Sequence, residues 1–191
     1  MNVEIPDFLL NKIRTLLRDV TKLFDEHGVQ YWLDGGTMLG CFREGGQIKH
    51  DDDADLGVLS KDMKKIVKLL PKIKELGYCY VFVKNILKIC YKPEDAMRAT
   101  IGDLHVDYAT LDIFEYIEKG DMIVLKHLNQ RNTWPGAKHK KTDLFPLQKM
   151  KFEDMMLPMP NNPIPYFESS YGDWQTPRHM LKASFFDINN Y

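Results

Sequence analysis

The chain has 191 residues, of which 44% are hydrophobic and 28% charged, with 26 Lys plus Arg against 27 Asp plus Glu. That length supports one domain with a substantial core, and the composition excludes a wholly disordered or membrane-embedded chain. The balanced charge gives no global electrostatic case for nucleic acid or an anionic membrane, so either partner would need a local patch.

From Asp7 to His27, apolar residues recur at three- and four-residue spacing (Leu9, Ile13, Leu16, Leu17, Val20, Leu23, Phe24), and Gly28 follows. This spacing predicts an amphipathic helix with a glycine stop. The same segment lacks the uninterrupted apolar stretch of a signal peptide, so the chain is read as soluble and cytoplasmic, in the producing or host cell. Val29 to Leu33 reads as a strand, ending at Asp34, Gly35 and Gly36, with a short helix over Thr37 to Phe42.

A Gly-rich loop leads to four aspartates, Asp51, Asp52, Asp53 and Asp55, and to a second strand over Ala54 to Leu59. Ser60 is expected to cap a helix over Lys61 to Leu76 that Pro71 bends or splits and Gly77 closes. Tyr78 to Val83 and Ile86 to Tyr91 flank Lys84 and Asn85 as a hairpin. Leu104 to Tyr116 is the next β-prone run, turning at Lys119 and Gly120 into Met122 to Leu125.

Beyond Leu125 the texture becomes basic and then Pro-rich, which predicts an irregular extension with a strap and a short helix near Tyr166 to Tyr171. We therefore expect a single domain over 1–191, with a core at about 7–125 and the part at about 126–191 packed on it. Cys41, Cys79 and Cys90 form no CxxC and no zinc pattern, and read as reduced core residues. The methionines at 150, 155, 156 and 159 read as packing.

The crowded aspartates need an explanation, because two like charges about 4 Å apart repel by about 1 kcal/mol even in bulk water. A divalent cation reverses the sign. If the second strand begins early, alternation puts Asp51, Asp53 and Asp55 on one face and turns Asp52 away. Carboxylates are the ligands that Mg²⁺ or Mn²⁺ prefers, and an acid on a neighbouring strand would complete the set. "HVDYATLDIFEY" offers Asp107 and Asp112, and Asp112 is the better candidate because it is embedded in apolar strand residues where an unpaired acid is costly. A strand-end cap or a pair with a lysine is the plainer alternative for Asp112. Gly35, Gly36 and Thr37 form the second element, a turn whose amides and following helix can approach a phosphate.

Strand, GGT, helix, a DxD strand and a later acidic strand form the layout of the nucleotidyltransferase fold. "LDGGTMLGCFREGGQIKHDDDADLGV" resembles the signature of the LicD family, which includes fukutin-type animal members. "LDIF" at 111–114, "LFPLQKMKFEDMMLPMP" at 144–160 and "YGDW" at 171–174 extend the resemblance over Tyr31 to Trp174. Lys49 and His50 stand where many members have Pro-Trp, Glu44 stands where His or Lys is common, and the zinc-binding cysteines of the animal members are absent.

The resemblance implies an α+β fold with a mixed sheet flanked by helices. It also implies an enzyme that moves a phosphorylated small group, such as phosphocholine or an alditol phosphate, from a CDP-linked donor to a sugar hydroxyl of a glycan. Asp53, Asp55 and Asp112 would be catalytic, holding Mg²⁺ or Mn²⁺ together with Asp51. Gly35, Gly36, Thr37 and Arg43 would hold phosphate, with His50, Lys138 and Lys140 as further substrate contacts. Trp134 and Trp174 could stack on a base or sugar, or simply pack. The alternatives are a nucleotidyltransferase proper, which releases pyrophosphate, and a catalytically inactive module that binds a glycan or nucleotide. Nucleic-acid binding is not expected, because no recognised motif accompanies the basic patch.

Overall fold

The computed structural model describes residues 5–91, 99–101, 104–106 and 109–177. The fold is α+β. The first helix, α1 (Asp7–Glu26), buries the apolar stripe from Leu9 to Phe24 and ends where Gly28 takes a left-handed conformation at φ 62°. A short strand, β1 (Tyr31–Leu33), passes through Asp34 directly into α2 (Gly35–Glu44). The helix thus starts at Gly35, two residues before the expected Thr37, because Gly35 itself adopts the turn at φ 51°.

The second strand, β2 (Asp53–Leu59), leads into α3 (Ser60–Glu75). Ser60 is the first helical residue rather than the cap, and its hydroxyl lies 3.5 Å from the Tyr116 carbonyl oxygen. Pro71 does not split α3, which runs through it as one element.

Next come β3 (Tyr78–Val83) and β4 (Ile86–Tyr91), a hairpin whose Lys84 and Asn85 both have positive φ, as its two-residue turn requires. The single run expected over Leu104 to Tyr116 divides. Its start belongs to a separate ribbon of β5 (Ala99–Ile101) and β6 (Leu104–Val106), while β7 (Thr110–Lys119) enters the main sheet. Asp107 lies outside the described residues.

The remaining elements are β8 (Met122–Leu125), α4 (Leu128–Thr133), β9 (Lys138–Lys140), α5 (Lys141–Leu144), β10 (Gln148–Phe152), β11 (Met155–Met159) and α6 (Ile164–Tyr171). The region after Leu125 therefore carries more regular structure than its sequence suggested. Pro158, assigned to a strap, sits in β11 opposite Lys149.

The main sheet runs β1-β2-β7-β4-β3, with β8 on the far half of β7 and β9 on β8. Among the described residues, β2 and β7 pair in parallel and the other neighbours in this sheet pair antiparallel. Successive strand residues face opposite ways, so Ala54, Leu56, Val58, Leu111 and Ile113 line one face, all fully buried with α1 and α3 in the main core. The opposite face carries Asp55, Gly57 and Leu59 of β2 against Asp112, Phe114 and Tyr116 of β7.

Phe152, Leu157, Met159, Tyr166 and Phe167, all beyond Leu125, join the main core. Met150 and Met155 pack as expected, whereas Met156 is exposed. The three cysteines are reduced thiols, and Cys79 and Cys90 face each other across the hairpin with their sulfurs 3.0 Å apart.

Candidate functional site

Parallel register sets Asp55 directly opposite Asp112, and antiparallel register sets Lys88 of β4 opposite the same Asp112. Asp53, Asp55 and Asp112 each place a carboxylate oxygen within 4.8 Å of the other two. Asp51, Asp52 and Asp53 form a second such group. The inclusion of Asp52 corrects the alternation argument: β2 begins at Asp53, so residues 51 and 52 lie in the preceding loop and need not follow the pleat.

That loop is built to hold the acids. Gln47, buried, donates its side-chain amide to the carbonyls of Asp51 (3.3 Å) and Asp53 (2.8 Å). Glu153, in the β10–β11 turn, accepts the Gln47 amide and donates its own to Gly45.

The GGT turn is pressed against the same acids. The Gly36 amide donates to Asp55 Oδ2 at 3.2 Å, and the Thr37 hydroxyl accepts the Asp55 backbone N–H at 2.8 Å. A Cβ on Gly35 would collide with the Asp55 carboxylate, and one on Gly36 with that of Asp51. The two glycines are therefore explained by the close approach of the acids, and the helix N-terminus faces a carboxylate of this chain.

Asp34, read from sequence only as a turn former, is a buried member of the site. Its N–H donates to the Asp55 carbonyl, its carbonyl accepts from Met38, and its Oδ2 accepts the Tyr116 hydroxyl at 2.6 Å.

Electrostatics follow from burying like charges. Burial, and then Asp52, pushes Asp51 up to about 7. Asp53 is raised by burial and then by Asp55 and Asp51, and Asp55 by burial and then by Asp112 and Asp51. Asp112 is also raised by burial, although Lys88 opposes the shift. Asp34 is pushed up to about 6 by burial against the Tyr116 hydrogen bond. Tyr171, on α6, is raised by burial and then by the charges of Asp55, Asp34, Asp51 and Asp53. Sequence reasoning had noted Tyr171 only as part of YGDW.

The other candidates divide. Arg43 is occupied: it binds Glu44 through Nη2 at 2.6 Å and donates Nη1 to the Trp174 carbonyl at 3.0 Å. Trp174 packs on Phe42 and Phe167, whereas Trp134 is 41% exposed and stands edge-on to Phe114, two residues beyond Asp112 on the same strand face. Lys138 and Lys140 are exposed on β9, and His139 between them is buried against Trp32, Tyr116 and Tyr166. His50 lies in the turn just before Asp51. Lys88 was missed altogether; the only signal was a lysine centred in the apolar strand ILKICY.

These residues suit a divalent ion. Three carboxylates converge, and Asp112 Oδ1 is buried with no hydrogen-bond partner among the described residues. Fold and site together define an α+β protein with an acid cluster set where a parallel strand pair meets a glycine turn. The chain belongs to the LicD family: the family model described as "LicD/FKTN/FKRP, nucleotidyltransferase domain" matches residues 28–162.

An uncharacterized protein of Rickettsia prowazekii is 28% identical over 159 residues, covering 83% of this chain and 53% of that protein. Ribitol-5-phosphate transferase FKTN of Homo sapiens is 27% identical over 175 residues, covering 86% of this chain and 33% of the relative. Ribitol 5-phosphate transferase FKRP of Mus musculus is 27% identical over 174 residues, covering 87% and 32% respectively. The chain thus spans between a third and a half of the length of these relatives. Among the described residues, no helix is long and apolar enough to cross a membrane.

Proposed function

We propose that this chain is a metal-dependent phosphotransferase, which moves a phosphorylated small group from a CDP-linked donor to a sugar hydroxyl of a glycan. The observation that carries the proposal is the register-locked trio of Asp53, Asp55 and Asp112, with carboxylate oxygens mutually within 4.8 Å. Family membership, together with relatives named as ribitol-phosphate transferases, supports the choice of reaction.

The trio, with Asp51 as a further ligand, would hold Mg²⁺ or Mn²⁺. Held there, it would supply positive charge to offset a donor diphosphate and to make an acceptor hydroxyl easier to deprotonate. In the transfer, the acceptor oxygen forms a bond to the phosphorus of the small group and the bond to the cytidylyl phosphate breaks. Cytidine monophosphate leaves, and the hydroxyl proton passes to solvent. Positioning and charge, rather than covalent catalysis, supply the rate.

The residues of the chain have distinct tasks. The Gly36 amide and Thr37 hydroxyl fix Asp55, and Gln47 fixes the Asp51–Asp53 backbone. Arg43 serves as a phosphate clamp by exchanging Glu44 for the donor. Lys138 and Lys140 offer solvent-facing charge to an anionic donor or glycan, and Trp134 an exposed aromatic face.

A thermal-shift panel of cytidine, uridine, guanosine and adenosine diphosphate conjugates, each with Mn²⁺ or chelator, tests the reading. Stabilisation by a cytidine conjugate only with metal, and release of cytidine monophosphate by mass spectrometry, are expected. Stabilisation by nucleoside triphosphates alone with pyrophosphate release would point instead to a nucleotidyltransferase proper. Binding without any product would point to an inactive module.

A further inference from the structure

Lys88, a buried cation among the described residues of this acid site, has no part in the reaction as set out above. Lys88 sits at the centre of β4, flanked on the sheet's core face by the fully buried Leu87 and Ile89. Only 8% exposed, it does not run its stem out to water as lysines on apolar strands ordinarily do. Its ammonium is instead bonded to Asp112 Oδ2. Register makes the arrangement linear: Lys88, Asp112 and Asp55 lie side by side on three adjacent strands, with Asp112 in the middle.

One oxygen of Asp112 is thus committed to Lys88. The other is buried with no hydrogen-bond partner among the described residues, and Asp112 belongs to the group that also contains Asp53 and Asp55. Stability alone is a poor reason for such a pair, since well-packed apolar residues of similar volume are commonly as stable or more so.

We propose that Lys88 is a positioning residue of the acid cluster: its ammonium fixes one oxygen of Asp112 and so presents the other to a divalent ion shared with Asp53 and Asp55. The proposal rests on the metal-dependent reading of the site. Lys88 acts on the ion in two opposed ways. It orders a ligand, which strengthens binding, and it places a like charge nearby, which weakens binding. Electrostatic coupling of Lys88 to Asp53 and Asp55, as well as to Asp112, puts its charge within reach of the whole group.

Because the two effects have opposite sign, Mn²⁺ binding to four proteins separates them: the unmodified chain, Lys88→Met, Asp112→Asn and the double variant, each titrated by electron paramagnetic resonance of free Mn²⁺. With Asp112 intact, Lys88→Met should weaken binding by about tenfold or more, the usual cost of removing a partner that orients a metal ligand. With Asn at position 112 the ordered carboxylate is gone while the like charge of Lys88 stays, so adding Lys88→Met should tighten binding, by about threefold or more. Lys88→Arg, which keeps a charged donor, should restore most of the affinity lost in Lys88→Met.

Unchanged or tighter binding by Lys88→Met with Asp112 intact overturns the positioning role, and so does the absence of a sign reversal between the two backgrounds. A merely structural lysine would not produce that reversal. Should Lys88→Met fail to fold, the comparison of Asp112→Asn with the double variant still decides, because there both buried partners are uncharged; no tightening between them overturns the proposal. If the unmodified chain binds no Mn²⁺, the metal reading of the site falls first and this inference with it. That outcome is distinct from Mn²⁺ binding that is indifferent to Lys88.

Discussion

The two faces of the central strand pair are built from alternate residues of the same two segments, yet they obey different rules. Toward α1 and α3, Leu56, Val58, Leu111 and Ile113 are fully buried and wholly apolar, and they gain their stability from area removed from water. On the other side, one residue along, Asp55 meets Asp112 and Lys88, and further on Trp32, Tyr116 and His139 form a smaller cluster with polar atoms inside it. The contrast teaches that one side of the sheet is held by apolar burial alone, while the other carries the charged groups on which the proposed reaction depends. Damage to the two sides should therefore separate into stability and activity.

The largest effect is expected on the acid side. Asp53→Asn combined with Asp55→Asn should reduce turnover by on the order of 10²–10³-fold or more. The melting temperature in chelator should be unchanged or higher, since repulsion is relieved. Retained turnover in the double variant would remove the proposed mechanism.

On the core side, Leu56→Ala should cost about 2–5 kcal/mol of stability. Its Mn²⁺ affinity, measured well below the melting temperature, should remain that of the parent. A large loss of affinity there would mean that the faces are not separable.

Gly57 tests the acid side as a packing problem. It lies opposite Trp32 in the β1–β2 register, and a Cβ there would collide with the fully buried indole. Gly57→Ala should destabilise by about 1–3 kcal/mol, and Trp32→Phe in the same chain should recover part of it in urea titrations.

The smallest effect is one of pH. Asp51, raised to about 7, and Asp53, Asp55 and Asp112, raised in the same direction, hold protons in the native state that the unfolded chain has released. Their stabilising contribution is complete below the ordinary value of 3.8 and is lost as pH rises through the native values. His139 works in the opposite sense: burial lowers it from 6.5 to about 3, so its contribution is present above 6.5 and lost as pH falls. Above pH 6.5 the acids alone set the slope. In chelator, the urea midpoint should then fall by about 0.3–0.5 M between neutrality and mildly alkaline pH, and saturating Mn²⁺ should reverse the fall. A midpoint that does not move over this range would mean that the acids are already ionised in the folded chain.

What could be read from the sequence follows the same division. The apolar stripe of α1, the β3–β4 hairpin and the acid strands are local patterns with a clear period, and the DxD and LDIF segments named Asp53, Asp55 and Asp112 correctly as neighbours. Asp112 also satisfies the plainer reading, since it is paired with a lysine. Lys88 and Asp34 were invisible as site residues because each acquires its role through a partner distant in the chain, whereas Gln47 reaches only four and six residues ahead but binds backbone carbonyls, which no side-chain pattern marks. Asp52 was excluded by a strand that begins one residue too late to govern it. Ser60 was assigned a cap because serine suits that role, but tertiary packing sets its hydroxyl beside Tyr116 instead.

The parallel pairing of β2 with β7 carries a temporal consequence. The strands it joins are separated in the chain by α3 and the whole β3–β4 hairpin, so Asp55 and Asp112 meet through one of the more distant closures in the fold. Distant closures bear their entropy cost before their contacts reward them. A nascent chain that has formed only its helices and hairpins keeps those two acids apart. Their mutual repulsion is first felt when the sheet that can tolerate it is complete.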